Sequence, residues 1–100
     1  MPRTKQPAVY ILASHRNGTL YVGVTSDLMM RMAQHRQGLV EGFSKRYSVC
    51  LLVHFELLTT MPEAIAREKQ LKKWPRARKV ALIERANTEW RDLYATELGG

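Results

Sequence analysis

Five side chains have the chemistry and spacing to work together: Tyr10, Tyr21, Arg31, His35 and Glu68. Arg31 and His35 lie four positions apart, so on a helix one stands above the other. An arginine there offers a fixed fork for phosphate oxygens, and a histidine can donate, accept or move a proton near neutral pH. Leu28, Met29, Met32 and Ala33 form the apolar arc of that helix, with the Arg31–His35 stripe along one edge. Residue type alone also allows a plain exposed basic stripe.

Glu68 stands out by its position. At about 100° per residue, Met61, Ala64, Ile65 and Leu71 cover an arc of roughly 120°, and Glu68 falls in its middle. A carboxylate on a core-facing stripe is costly unless something pairs with it. An arginine, a lysine or a divalent cation would serve, and so would a structural ion pair with a neighbour such as Arg31. A single carboxylate suffices to anchor Mg²⁺, which keeps most of its waters and takes further ligands from phosphate.

The two tyrosines sit in runs rich in β-formers, Val9–Leu12 and Leu20–Val24, with Asn17-Gly18 between them. That dipeptide predicts a hairpin, since both residues tolerate positive φ. A two-residue turn places Ser14 opposite Tyr21 and Tyr10 opposite Thr25. Opposed residues share a face and faces alternate along a strand, so both rings lie on one side. A four-residue loop keeps that parity and brings the rings closer, whereas an odd loop separates them. On residue type alone, both rings simply pack the sheet.

The remaining elements follow from punctuation. Ser26 or Asp27 can cap the Arg31–His35 helix, which ends near Gly38. Residues 49–55 form a third β-like run, continuous enough for a central or well-covered strand. Gly38, Gly42 and the basic stretch before Tyr47 read as a loop. Thr60 and Glu63 have capping-box spacing, with Pro62 in the tolerant first turn, opening a helix to about Lys73. Pro75 ends it and starts the next, over 76–86. Asn87-Thr88 then precedes a short final helix through Trp90, Leu93 and Tyr94. Hairpin, helix, strand, helices describes a small α+β domain with an antiparallel sheet. The expected boundaries are a basic arm at 1–7 and one domain over 8–97.

Composition narrows the partner. The 100 residues suit one domain, and 45% hydrophobic with 25% charged is too apolar for disorder. Sixteen Lys+Arg against nine Asp+Glu leave +7, which points to a polyanion. From Arg67 to Lys79 there are seven basic residues and one acid, Glu68, with Trp74 among them. This run, with Lys45 and Arg46, reads as a phosphate-backbone track, or in part as a solvated helix face. The longest apolar run, Ala8–Ala13, is too short for a membrane span or a signal-peptide core. One cysteine, Cys50, excludes an internal disulfide and a multi-cysteine zinc site, and reads as a buried small hydrophobe. His15 and His54 have no partner at metal-ligand spacing and read as structural.

Together these residues resemble the GIY-YIG nuclease superfamily, in its small stand-alone bacterial group of UPF0213 type. Ala8-Val9-Tyr10 stands where the family has Gly-Ile-Tyr, and Tyr21-Val22-Gly23 where it has Tyr-Ile-Gly. Arg31 and His35 match its helical arginine and the His-or-Tyr one turn later. Glu68, in Ala66-Arg67-Glu68-Lys69-Gln70-Leu71-Lys72-Lys73-Trp74, matches its metal-binding glutamate segment. Asn87 corresponds to its late polar residue, an accessory position. The missing first glycine is a departure, though the tyrosine is the chemically important member.

The resemblance implies a three-stranded antiparallel sheet flanked by helices, and metal-dependent cleavage of a phosphodiester. Glu68 would hold one Mg²⁺ or Mn²⁺, and Arg31 would clamp the phosphate. Tyr10, Tyr21 and His35 form a proton-handling group with no member singled out. Lys45, Arg46 and Tyr47, with Lys69, Lys72, Lys73 and Arg76, would contact nucleic acid, DNA rather than RNA. A cytoplasmic nuclease acting on branched or damaged DNA is one expectation. The other is a nucleic-acid-binding module of the same fold that cleaves little, since 100 residues leave no room for a separate recognition domain.

Overall fold

The computed structural model describes residues 6–37 and 51–99. Strand β1 (Ala8–Ala13) is followed by β2 (Leu20–Thr25), helix α1 (Leu28–Arg36) and β3 (Leu51–Leu57). Helices α2 (Met61–Lys73), α3 (Arg76–Ala86) and the single turn α4 (Leu93–Thr96) complete the chain. The strands form one antiparallel sheet in the order β2-β1-β3.

The central strand is β1, and all six of its residues are buried. Its unbroken apolar run reflects cover on both faces. Ala8, Tyr10 and Leu12 face one side, packing with Leu28 and Met32 of α1 and Leu52 of β3. Val9, Ile11 and Ala13 face the other, against Leu71 of α2, Ile83 of α3 and Trp90. The third β-like run is thus an edge strand, not a central one, but it is well covered on both faces at Leu52 and Val53. Its continuity has a second cause, an irregularity opposite Ile11 and Leu12, where the partner jumps from His54 to Leu52. Period-two alternation breaks there.

At that edge, Asp92 Oδ1 accepts from the Leu52 amide at 3.2 Å, and Asn87 Nδ2 donates to the Val53 carbonyl at 3.1 Å. The other Asp92 oxygen pairs with Arg36, whose guanidinium also lies over the Tyr94 ring. One aspartate therefore ties the last turn of α1 to β3 and α4.

The hairpin has the four-residue loop, His15–Gly18, not the two-residue turn. Ser14 and Thr19 close the ladder, Tyr10 faces Gly23 and Leu12 faces Tyr21. Asn17 takes the left-handed conformation at φ 61°. Gly18 is needed for space, because a Cβ there would stand 2.3 Å from Ser14 Oγ.

The helix caps fall where their sequence signals stand. Asp27 Oδ1 accepts from the Met30 amide, Thr60 and Glu63 form the reciprocal capping box, and Pro75 separates α2 from α3. Two details differ. Trp90 lies outside the last helix at φ 57°, its ring buried and its Nε1 donating to Glu84 Oε2 at 2.7 Å. Ile65, placed on the core-facing stripe, is 39% exposed, so the buried line on α2 narrows to Ala64 and Leu71.

Candidate active site

Tyr10 leaves the central strand on the α1 side, directly opposite Gly23. A Cβ on Gly23 would lie 2.4 Å from the Tyr10 ring, so this glycine makes the space the phenol occupies. Tyr21, two residues before Gly23, emerges on the same face. The rings of Tyr10 and Tyr21 are 6.3 Å apart between centroids.

His35 completes the cluster from α1. Its ring lies 5.8 Å from each tyrosine ring, edge-on to both, and its Nε2 is 3.2 Å from the Tyr10 hydroxyl. Leu28, Met32 and His35 are the buried residues of α1. The histidine therefore lies on the buried line, not along its edge. The last turn that carries it is the one held by Arg36 and Asp92.

Burial sets the protonation states. It pulls His35 down to about 4, assisted by the Arg31 charge, so the imidazole is neutral at pH 7. Burial also pushes the Tyr10 phenol well above its ordinary value, and Tyr21 adds to that shift. Arg31 acts on Tyr10 in the opposite sense, while the Glu68 charge raises it further. Both charged groups thus lie within electrostatic reach of the Tyr10 hydroxyl, although Glu68 comes from the helix layer on the other side of the sheet.

The partners of those charges matter. Glu68 does not pair with Arg31; its Oε2 is 2.8 Å from Lys72 Nζ, one turn along α2. The carboxylate side chain is only 14% exposed and that of the lysine 55%, so the lysine is the more solvated member of the pair. Arg31 has no carboxylate partner among the described residues. A half-buried arginine in that condition suits an incoming anion. No group of three or more metal-ligating side chains occurs among the described residues. A divalent ion here would need one carboxylate, waters and phosphate oxygens, a set that Mg²⁺ accepts.

The basic run divides by role. Arg67 is bound to Glu56 through Nε at 2.8 Å and Nη2 at 3.1 Å, and His54 adds a third bond to the same carboxylate. Those bonds, that of His54 foremost, hold Glu56 down at about 2. Arg78 stacks on Trp74 at 3.9 Å from its centroid, and Arg76 donates to the Asn17 carbonyl at 2.8 Å. Lys69, Lys72 and Lys73 remain exposed along α2. Asn87 is buried, its amide bound to the Val53 carbonyl and to the Arg91 backbone, so it ties β3 to the segment after α3. Lys45, Arg46, Tyr47 and Cys50 lie outside the described residues. Sequence reasoning missed Asp92 and Arg36, because their pairing joins segments far apart in the chain. Gly23 carried a signal, an isolated glycine within a strand.

The GIY-YIG catalytic domain matches residues 6–81. The chain belongs to the GIY-YIG family, whose fold is of nuclease type. Within it, the similar proteins are of the UPF0213 group. A UPF0213 protein of Staphylococcus haemolyticus is 33% identical over 76 residues, covering 76% of this chain and 92% of its own. One from Haloquadratum walsbyi is 33% identical over 66% of this chain and 74% of its own. The solution structure of a UPF0213 protein from Bacillus halodurans shares the fold, with a TM-score of 0.54 and 24% identity. That match covers 87% of this chain and 92% of the other.

Proposed function

We propose that this protein is a metal-dependent endonuclease that hydrolyses phosphodiester bonds in DNA, with branched or damaged DNA as its target. The observation that carries the reading is the meeting of three proton-handling rings beside Arg31, a guanidinium without a carboxylate partner among the described residues. An anionic substrate that exchanges a proton gives each member a task.

Arg31 holds the phosphate oxygens and offsets the charge that accumulates on them during attack. His35, neutral at pH 7, shares a hydrogen bond between its Nε2 and the protonated Tyr10 phenol, and in the tautomer protonated on Nδ1 it is the acceptor. A proton leaving the attacking water passes into this Tyr10–His35 pair, with Tyr21 orienting the water beside it. Glu68 would hold one Mg²⁺ or Mn²⁺, releasing Lys72 as it does so. Such an ion, when bound, stabilises charge on the phosphate and the leaving oxygen. The lysines of α2 hold the DNA backbone alongside, and a cytoplasmic setting fits this role.

Wild type and Glu68→Ala, incubated with branched, flapped and single-stranded DNA in Mg²⁺ or Mn²⁺, test the proposal. Cutting by wild type alone, stopped by a chelator, is the expected result. Binding by both proteins with cutting by neither would leave a nucleic-acid-binding module instead.

A further inference from the structure

Along β2 lies a second feature that the three-ring cluster does not use. A cavity of about 290 Å³ opens there, lined by Leu20, Tyr21 and Val22 with Lys72 of α2 and Lys79 of α3. Strand β2 is an edge of the sheet, so this cleft runs beside a strand with no neighbour on that side among the described residues. Tyr21 belongs to both places, since its ring joins the cluster while the residue lines the cleft.

The charged residues that line the cleft are both lysines, one of them paired with Glu68. Lys79 is half-buried and has no carboxylate partner among the described residues. A lysine can bury its aliphatic stem and keep its ammonium in solvent, open to an anion. Lys72 has a partner, Glu68, but through a largely exposed side chain that can turn away. Two lysines in one cleft with the apolar Leu20 and Val22 fit an anion carried on an organic group. The size is near the lower end for small-ligand pockets, enough for one nucleotide unit.

We infer that this cleft is a second phosphate subsite, in which Lys79, together with Lys72, holds the phosphodiester next to the one presented to Arg31. The inference rests on the nuclease reading for the identity of the strand, but not for the existence of the subsite. Lys79 acts here as a positioning residue that fixes how far the strand can slide past Tyr21. Because Lys72 also pairs with Glu68, occupation of the carboxylate by a cation would strengthen the subsite by freeing a second ammonium.

The test uses fluorescence anisotropy of a labelled single-stranded DNA with wild type, Lys79→Gln and Lys79→Arg. Loss of one phosphate contact lowers the slope of log affinity against log salt by about 0.7, or roughly fivefold in affinity at 0.1 M salt. Lys79→Gln should show that loss and Lys79→Arg should restore it. Replacing single linkages of the DNA by neutral methylphosphonates should then weaken wild type at one linkage while leaving Lys79→Gln indifferent to it. An unchanged salt slope in Lys79→Gln, or equal sensitivity of both proteins at every linkage, would overturn the subsite. Both readouts are of binding, so a protein that binds as expected but never cuts would defeat the nuclease reading and leave the subsite standing.

Discussion

Gly23 and Tyr10 stand opposite each other on neighbouring strands, and the phenol ring fills the space that any side chain on Gly23 would take. The glycine is therefore part of the site's architecture, although it has no functional group. It lets a buried tyrosine reach across the sheet to His35 of α1.

Gly23→Ala should displace the Tyr10 ring and break its hydrogen bond to His35. Overpacking of a filled site costs about 1–3 kcal/mol, readable in urea denaturation. The pairing of Gly23→Ala with Tyr10→Leu should recover part of that loss, because the shorter side chain vacates the space. Equal stability of Gly23→Ala and wild type would mean that the ring has room elsewhere.

The His35 imidazole should titrate near pH 4, not near 6.5, when followed by NMR of its ring protons. With the folded value depressed, the unfolded state binds the extra proton first. Stability from this group is therefore complete above about pH 6.5 and falls as the pH drops toward 4. An inflection at 6 or above would contradict the buried neutral ring. The raised Tyr10 value acts at the other end, removing stability as the pH climbs past about 10.

Asp92→Ala should loosen the last turn of α1, the turn that carries His35. It removes the partner of Arg36 and leaves the Leu52 amide without its acceptor. A buried or half-buried donor so orphaned costs about 1–3 kcal/mol. Faster amide exchange in the last turn of α1 is the specific readout, with the hydrophobic face of α2 unchanged.

Glu56→Gln should weaken the protein mainly near neutral pH, since Glu56 accepts from both His54 and Arg67. With the folded value held near 2, its contribution is present above the ordinary carboxylate range and lost as pH falls toward 2. Denaturant midpoints of the two proteins should therefore converge in acid. A constant difference from pH 7 to pH 3 would show that charge is not the cause.

The site was legible in sequence wherever one element carries the whole relation. Arg31 and His35 share a helix, the tyrosines share a hairpin face under the loop parity, and Thr60 with Glu63 form their own cap. Reading failed where the relation spans the fold. Whether β1 or β3 is central depends on the strand order, and an irregularity at residues 52–54, with both faces covered there, made an edge strand read like a central one. The loop length could not be fixed by Asn17-Gly18 alone, because Gly18 is required by Ser14 rather than by its own φ. Glu68 pairs with Lys72 for a similar reason: the sheet stands between α2 and the helix that carries Arg31.

The most direct measurement is single-turnover cleavage by wild type and Glu68→Gln, at saturating protein, alongside DNA affinity in the same buffer with Mn²⁺. Losing the carboxylate but keeping its shape should lower the cleavage rate on the order of 10²-fold or more, with affinity nearly unchanged. Equal cleavage by both proteins, or a parallel loss of binding and rate, would contradict the account.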